Sequence, residues 1–131
     1  MKLPQLTLVS AIIALIGWIL LVIGIVLVGG VQNVTGFYLA YFAVLIAYII
    51  AAEVGYVKMN RIGIVGLSAV GFSWIVGFCD TGVQYSKVSG LSSNVQSGYG
   101  LIAAGSILMS MPFIYWIWAY GEPSSKKTGY V

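Results

Sequence analysis

The sequence predicts an all-α integral membrane protein, a bundle of four transmembrane helices with both termini in the cytoplasm. Of its 131 residues, 60% are hydrophobic and only 7% are charged, whereas about a quarter of the residues in a soluble domain are charged. Apolar runs separated by short polar breaks occupy almost the whole length. A helix needs roughly 20 apolar residues to cross hydrocarbon, and a backbone in lipid must satisfy its own hydrogen bonds. Lipid is therefore the predicted solvent.

Four spans are predicted to follow one another in a single membrane domain, residues 1–131. They cover about 6–28, 37–57, 62–79 and 99–120. The first apolar run is longer than the core of a secretory signal and no small-x-small cleavage site follows it, so we expect it to remain as an anchor. Residues from about 80 to 98 are predicted to form an outer loop, and residues 121–131 a disordered cytoplasmic tail.

Basic residues orient the predicted bundle, because lysine and arginine favour cytoplasmic loops. The basic residues on one side are Lys2, Lys58, Arg61, Lys126 and Lys127. The other side has Lys87 alone. This bias predicts that both termini are cytoplasmic.

Stripes of small residues predict where helices touch, since association in lipid relies on close backbone approach. The stripes are Ser10, Gly17 and Gly24 in span one; Ala43, Ala47, Ala51 and Gly55 in span two; and Ala69, Ser73 and Gly77 in span three. Each stripe is compatible with packing inside the bundle or against another protein, and also with the ordinary abundance of alanine and glycine in membrane helices. In span four, Pro112 removes a backbone donor and predicts a kink.

Glu53 is the one predicted intramembrane charge, and such residues are functional candidates by default. Two interpretations stay open: a carboxylate paired with Lys58 and Arg61, or a proton or cation site. The single cysteine, Cys79, cannot form an internal disulfide. Asn33 opens a glycosylation sequon on the predicted outer side.

The inventory of reactive groups argues against catalysis. The chain has no histidine, and general acid–base chemistry needs a positioned titratable group. Its three carboxylates are Glu53, Asp80 and Glu122, of which Asp80 is predicted to lie across the membrane from the others. We therefore predict that the chain is not an enzyme, holds no cofactor or metal, and does not bind nucleic acid.

Several motifs carry a resemblance to a known family. They are Ser10-Ala11-Ile12 and Gly17-Trp18-Ile19 in span one, Arg61-Ile62 leading to Ala69-Val70-Gly71-Phe72, and Ala104-Gly105, Ile107-Leu108, Ser110, Trp116-Ile117 and Tyr120-Gly121 in span four. On these residues, over nearly the whole chain, the protein resembles the four-span membrane domain of the fungal high-osmolarity osmosensor, an adaptor with a cytoplasmic Src-homology-3 domain. The resemblance implies a multi-pass protein of the fungal plasma membrane that self-associates and contacts other membrane proteins. After Gly121 there is no long linker and no Src-homology-3 module, so recruitment of a kinase scaffold is not implied.

Three functions are compatible with these observations. The leading hypothesis is a non-catalytic accessory or organising subunit that binds membrane lipids and a larger plasma-membrane protein, such as a pump or synthase, or copies of itself. The second is an osmosensor-like sensor of membrane stress, because spans of unequal length respond to bilayer thickness by tilting. The third is a small dimeric transporter built around a membrane carboxylate.

Overall fold

The structure, a computed structural model, describes residues 3–29 and 33–122. Four helices make up these ranges: α1 (Leu3–Val28), α2 (Asn33–Val54), α3 (Arg61–Ser86) and α4 (Ser93–Gly121). Each is long and apolar enough to cross a membrane, and no strand occurs in the described ranges. This confirms the all-helical, four-helix part of the predicted fold. Lys2, Lys126 and Lys127 lie outside the described residues, as do the side chain of Asn33 and the tail beyond Glu122.

Helix α3 runs further than the predicted span of 62–79, and the predicted loop of about 80–98 shrinks to residues 87–92. The polar residues that suggested a loop are exposed on the surface of the helix, as Asp80 and Gln84 show, while Gly82 between them is buried. A Cβ at Gly82 would lie 2.6 Å from the Ala103 nitrogen of α4. The end of α3 is therefore a helical segment that packs on α4 through Gly82.

Side chains and a glycine set the helix ends on either side of the α2–α3 connection. Gly55 follows the last residue of α2 with a φ of +96°, a left-handed conformation that glycine adopts readily at a helix C-terminus. Asn60 caps α3 by accepting a 3.0 Å hydrogen bond from the Gly63 nitrogen. Gly55 thus ends α2, rather than extending its small-residue stripe.

Helix α4 is the axis of the bundle, because its contacts with α1 and with α3 are by far the most extensive. Helix α2 contacts α1 moderately and α3 only thinly. Neighbouring helices run antiparallel around the ring α1–α2–α3–α4. The bundle is therefore tight along α4 and loosest between α2 and α3.

Glycines on both helices bring α1 and α4 into close contact. A Cβ at Gly17 would lie 2.8 Å from the Gly105 carbonyl oxygen, and a Cβ at Gly24 would lie 2.6 Å from that of Gly98. Both pairs are seven residues apart on their helices, the spacing of a left-handed crossing with two turns per repeat. At these four positions there is room for the hydrogen atom of a glycine but not for a Cβ atom.

Aromatic and branched side chains fill the centre. Phe42 of α2 meets Phe113 of α4 with ring centroids 5.8 Å apart, and Phe113 contacts Trp116 at 4.9 Å. All three are fully buried. These rings join α2 to α4 across the diagonal of the bundle. The structure also places Pro112 in the buried face of α4, which continues as one helix through it.

The three small-residue stripes have different surroundings. Ser10, Gly17 and Gly24 are buried beneath α4, whereas the stripe on α3, consisting of Ala69, Ser73 and Gly77, is exposed along its whole length. In α2, Ala47 is exposed, and Ala43 and Ala51 are half-buried. Within the bundle, α3 instead contacts α4 through a different face, which includes Ser68, Gly71 and Ile75.

Candidate functional site

Seven polar or aromatic residues gather where α1 begins, α2 ends, α3 begins and α4 ends. We call this group the terminal polar cluster; it consists of Thr7, Ser10, Glu53, Arg61, Tyr115, Trp116 and Tyr120. All four helices contribute to it. It is the densest polar network in the part of the chain that the structure describes.

Glu53 joins α2 to α4. Its Oε1 atom accepts a 2.6 Å hydrogen bond from the Tyr120 hydroxyl, and such a bond to an ionised acceptor is stronger than a neutral one. One of the two interpretations of the sequence paired Glu53 with Lys58 and Arg61. The structure gives the carboxylate a tyrosine instead, because Arg61 points toward the end of α4.

Arg61 closes the C-terminus of α4. Its guanidinium donates to the carbonyl oxygens of Ala119 at 3.0 Å, Tyr120 at 3.4 Å and Glu122 at 3.2 Å. Its carbon centre lies 5.9 Å from the centroid of the Tyr120 ring. The last carbonyls of a helix lack internal partners and carry partial negative charge, so Arg61 satisfies them as a cap supplied by α3.

Trp116 and Ser10 join α4 to α1 in a buried relay. The Trp116 indole nitrogen donates to Ser10 Oγ at 2.8 Å, and that hydroxyl donates to the Thr7 carbonyl at 2.6 Å. Thr7 and Tyr115 add a hydroxyl pair at 3.4 Å. A buried indole N–H without a partner is costly in lipid, so Ser10 has a polar role that its place in a small-residue stripe did not indicate.

The exposed side of α3 has a second feature, a strip of small residues. We call Gly66, Ala69, Ser73 and Gly77 the α3 small face; all four are exposed. A Cβ added at Gly66 or Gly77 would have nothing within 4 Å. The face is therefore a strip of small residues that no side chain of the described ranges covers.

A third feature is an apolar groove of about 520 Å³ between α2 and α3. Its α2 wall includes Ala40, Val44 and Tyr48, and its α3 wall includes Asn60, Gly63 and Leu67. The Tyr48 hydroxyl donates to the Lys58 carbonyl at 2.9 Å and accepts from the Asn60 nitrogen at 3.0 Å. We call this feature the α2–α3 groove.

The opposite end of the bundle has little that could react. Cys79 is a free, half-buried thiol, and Asp80 beside it is exposed. Both line a shallow cavity of about 420 Å³ between α3 and α4, together with Ser106 and Ser110. Within residues 3–29 and 33–122, no three histidine, cysteine or carboxylate groups come close enough to hold a metal ion.

Two contacts in this geometry, the α1–α4 seam and the Glu53–Tyr120 hydrogen bond, were not predicted from the sequence. A pattern in the sequence does indicate the first of them. Gly98 and Gly105 in α4 have the same seven-residue spacing as Gly17 and Gly24 in α1, so matching the two stripes would have identified the α1–α4 seam. The Glu53–Tyr120 bond had no such signal. It depends on which ends of α2 and α4 meet.

Fold and site together define a compact bundle of four helices, each able to cross a membrane, held by glycine seams and a polar cluster at one end. Comparison with protein-family models, with curated proteins and with solved structures finds no match to this chain. The resemblance to the osmosensor membrane domain therefore rests on the sequence motifs given above.

Proposed function

We propose that this protein is a multi-pass, non-catalytic accessory or organising subunit of the plasma membrane that binds the transmembrane helices of a larger membrane protein or of a second copy of itself. The observation that carries the proposal is the α3 small face. A glycine inside a helix lowers the stability of that helix by about 1 kcal/mol relative to an alanine. Gly17, Gly24, Gly98 and Gly105 offset that cost by close packing within the chain, but Gly66 and Gly77 have no such contact.

Packing against a neighbouring helix would offset the loss of helix stability at Gly66 and Gly77. Small residues let two membrane helices approach closely enough for extensive van der Waals contact. Ala69, Ser73 and Gly77 follow one another at four-residue spacing, so they form a continuous strip along α3. An apolar side chain from a partner helix fits against such a strip without displacing any side chain of this protein.

The proposed orientation places the terminal polar cluster on the cytoplasmic side. Lys58 and Arg61 lie at this end of the bundle, and Lys87 lies in the short connection at the other end. The bias of basic residues toward cytoplasmic loops supports this direction. It also puts both chain termini in the cytoplasm.

The test is co-purification in a mild detergent, with variants of the α3 small face. Ala69→Leu and Gly77→Leu add bulk where a partner helix would approach, and open space at Gly77 lets the isolated chain accept it. We expect both variants to lose the proteins or the second copy that travel with the unmodified chain. Ile16→Phe, on a face of α1 whose exposed residues are large and apolar, is the control for added bulk and should retain them. A chain that is always recovered alone, or variants that retain the same partners, would contradict the proposal.

A sensor of membrane stress is the second candidate, and the thin contact between α2 and α3 favours it. Helix α2 has 22 residues and α4 has 29, so a change in bilayer thickness would affect the tilt of each helix differently. Deleting the protein and measuring the response to osmotic shock tests this candidate. An unchanged response would remove it.

A further inference from the structure

From the α2–α3 groove we infer that this protein binds an anionic phospholipid of the cytoplasmic leaflet, with one acyl chain in the groove and the headgroup phosphate at Lys58. The inference rests on the proposed orientation, although it does not require a protein partner. Four observations support it: the length of the groove, its closed end, its chemistry and its charge.

The groove lies against the cytoplasmic half of α3. Its α3 wall runs from Asn60 to Leu67, seven residues apart, which corresponds to about 10 Å along a helix axis. The hydrocarbon core is about 30 Å thick, so this wall stays within one leaflet, whereas the α2 wall, from Phe37 to Tyr48, straddles the middle of α2. The part of the groove that both helices line therefore suits one acyl chain of the cytoplasmic leaflet, whereas a transmembrane helix would need both walls over the whole thickness.

Aromatic rings close the groove near the middle of the membrane and beyond. Trp74 of α3 lies 4.7 Å from the ring centroid of Tyr41 and 6.0 Å from that of Phe37. The Tyr41 hydroxyl also donates to the Leu67 carbonyl at 2.6 Å. These contacts join α2 and α3 where the groove ends. Ala40 and Gly63 line the groove with small side chains and so leave space between the two helices.

The groove changes from apolar to polar along its length, as a phospholipid does from its acyl chains to its headgroup. The walls between Tyr41 and Tyr48 are apolar, with Val44 68% exposed along them. At the other end lie Asn60 and the Tyr48 hydroxyl. A volume of about 520 Å³ falls in the range of roughly 300–1,000 Å³ that is usual for ligand sites.

A positive charge stands at the polar end. The hydrogen bond from the Tyr48 hydroxyl to the Lys58 carbonyl holds this residue beside the groove, and the Lys58 side chain is exposed. The carboxylate nearest in sequence, Glu53, is engaged by Tyr120. Arg61 is engaged by the end of α4. Among the residues that the structure describes at this end, Lys58 is therefore the cation that remains for a phosphate, and basic sites between membrane helices on the cytoplasmic side bind anionic headgroups.

Native mass spectrometry of the full chain in detergent tests the inference, with phosphatidylserine and phosphatidylcholine of identical acyl chains added in turn. The unmodified protein should retain phosphatidylserine about five-fold more strongly, which is the order of preference that one lysine near an anionic group confers. Lys58→Gln should remove the preference while leaving retention of both lipids measurable. Ala40→Phe should reduce retention of both, because it fills the groove.

Ala104→Phe, on the exposed face of α4, is the control for added bulk and should bind lipid as the unmodified chain does. Equal retention of the two lipids by the unmodified protein would overturn the inference, as would unchanged retention by Ala40→Phe. Retention of a sterol in place of phosphatidylserine would also overturn it. A lone chain with a phosphatidylserine preference would refute the proposed partner binding and leave the lipid site standing, so the two failures are distinguishable.

Discussion

At the scale of single residues, the end of the bundle is held by polar contacts that join α4 to each of the other three helices. Glu53 and Tyr120 connect α2 to α4 across the bundle diagonal, and Arg61 connects α3 to α4. In a membrane such bonds replace the water that a soluble protein would use at its helix ends. The terminal polar cluster therefore fixes the relative positions of the four helix ends.

The Glu53–Tyr120 bond gives a direct prediction. Glu53→Gln and Tyr120→Phe should each lower the unfolding free energy in detergent. The double variant should lose less than the sum by about 1 kcal/mol, because both changes remove one interaction. The measurement is a double-mutant cycle by denaturant-induced unfolding.

Tyr41→Phe is the matched control for this cycle, since the Tyr41 hydroxyl bonds to the Leu67 carbonyl instead of to Glu53. Combined with Glu53→Gln, it should be additive within about 0.3 kcal/mol. Additivity in the Glu53–Tyr120 cycle would show that the hydrogen bond contributes nothing to stability.

At the scale of helices, two groups of glycines, those of the α1–α4 seam and those of the α3 small face, differ in what surrounds them. Those of the α1–α4 seam have backbone or side-chain atoms where a Cβ would stand, and those of the α3 small face have open space. The first group builds the bundle. In the proposed function, the second group is available to a neighbour.

A pair of alanine substitutions distinguishes the groups. Gly105→Ala would put a Cβ 2.6 Å from the Gly17 carbonyl oxygen, so α1 and α4 must separate. We expect a loss of about 1–3 kcal/mol in the unfolding free energy. Gly77→Ala meets nothing and replaces a poor helix former, so it should leave the isolated chain unchanged or raise its stability by up to about 1 kcal/mol. Thermal unfolding in detergent compares them, and equal losses would contradict the division.

The number and helical nature of the elements were predictable from composition and run length, but the contact faces were not. A stripe of small residues defines a face of one helix without showing what meets it. The α1 stripe packs on α4, which has glycines at the same spacing, while the α3 stripe packs against no other helix among the described residues. The end of α3 was missed for a related reason. Asp80 and Gln84 have the polarity of a loop, and only the contact of Gly82 with α4 makes the segment a packed helix.

At the scale of the whole molecule, the charged groups lie at the two ends of the bundle. The terminal polar cluster, Lys58 and Arg61 occupy one end, and Lys87 and Asp80 lie toward the other. Exposed apolar surface covers most of the length between them, as Val44, Val76 and Ile107 illustrate. Function is therefore expected to come from surfaces: the α3 small face for a helix, and the α2–α3 groove for a lipid.

We propose that these four helices cross a bilayer with the terminal polar cluster in the cytoplasm, and cysteine labelling tests this topology most directly. In a Cys79→Ala background, Tyr56→Cys lies in the α2–α3 connection and Ser89→Cys in the α3–α4 connection, and both native residues are exposed. Neither change alters a basic residue. A membrane-impermeant maleimide should label Ser89→Cys in intact cells and Tyr56→Cys only after permeabilisation. Labelling of both positions in intact cells, or of Tyr56→Cys alone, would contradict the account.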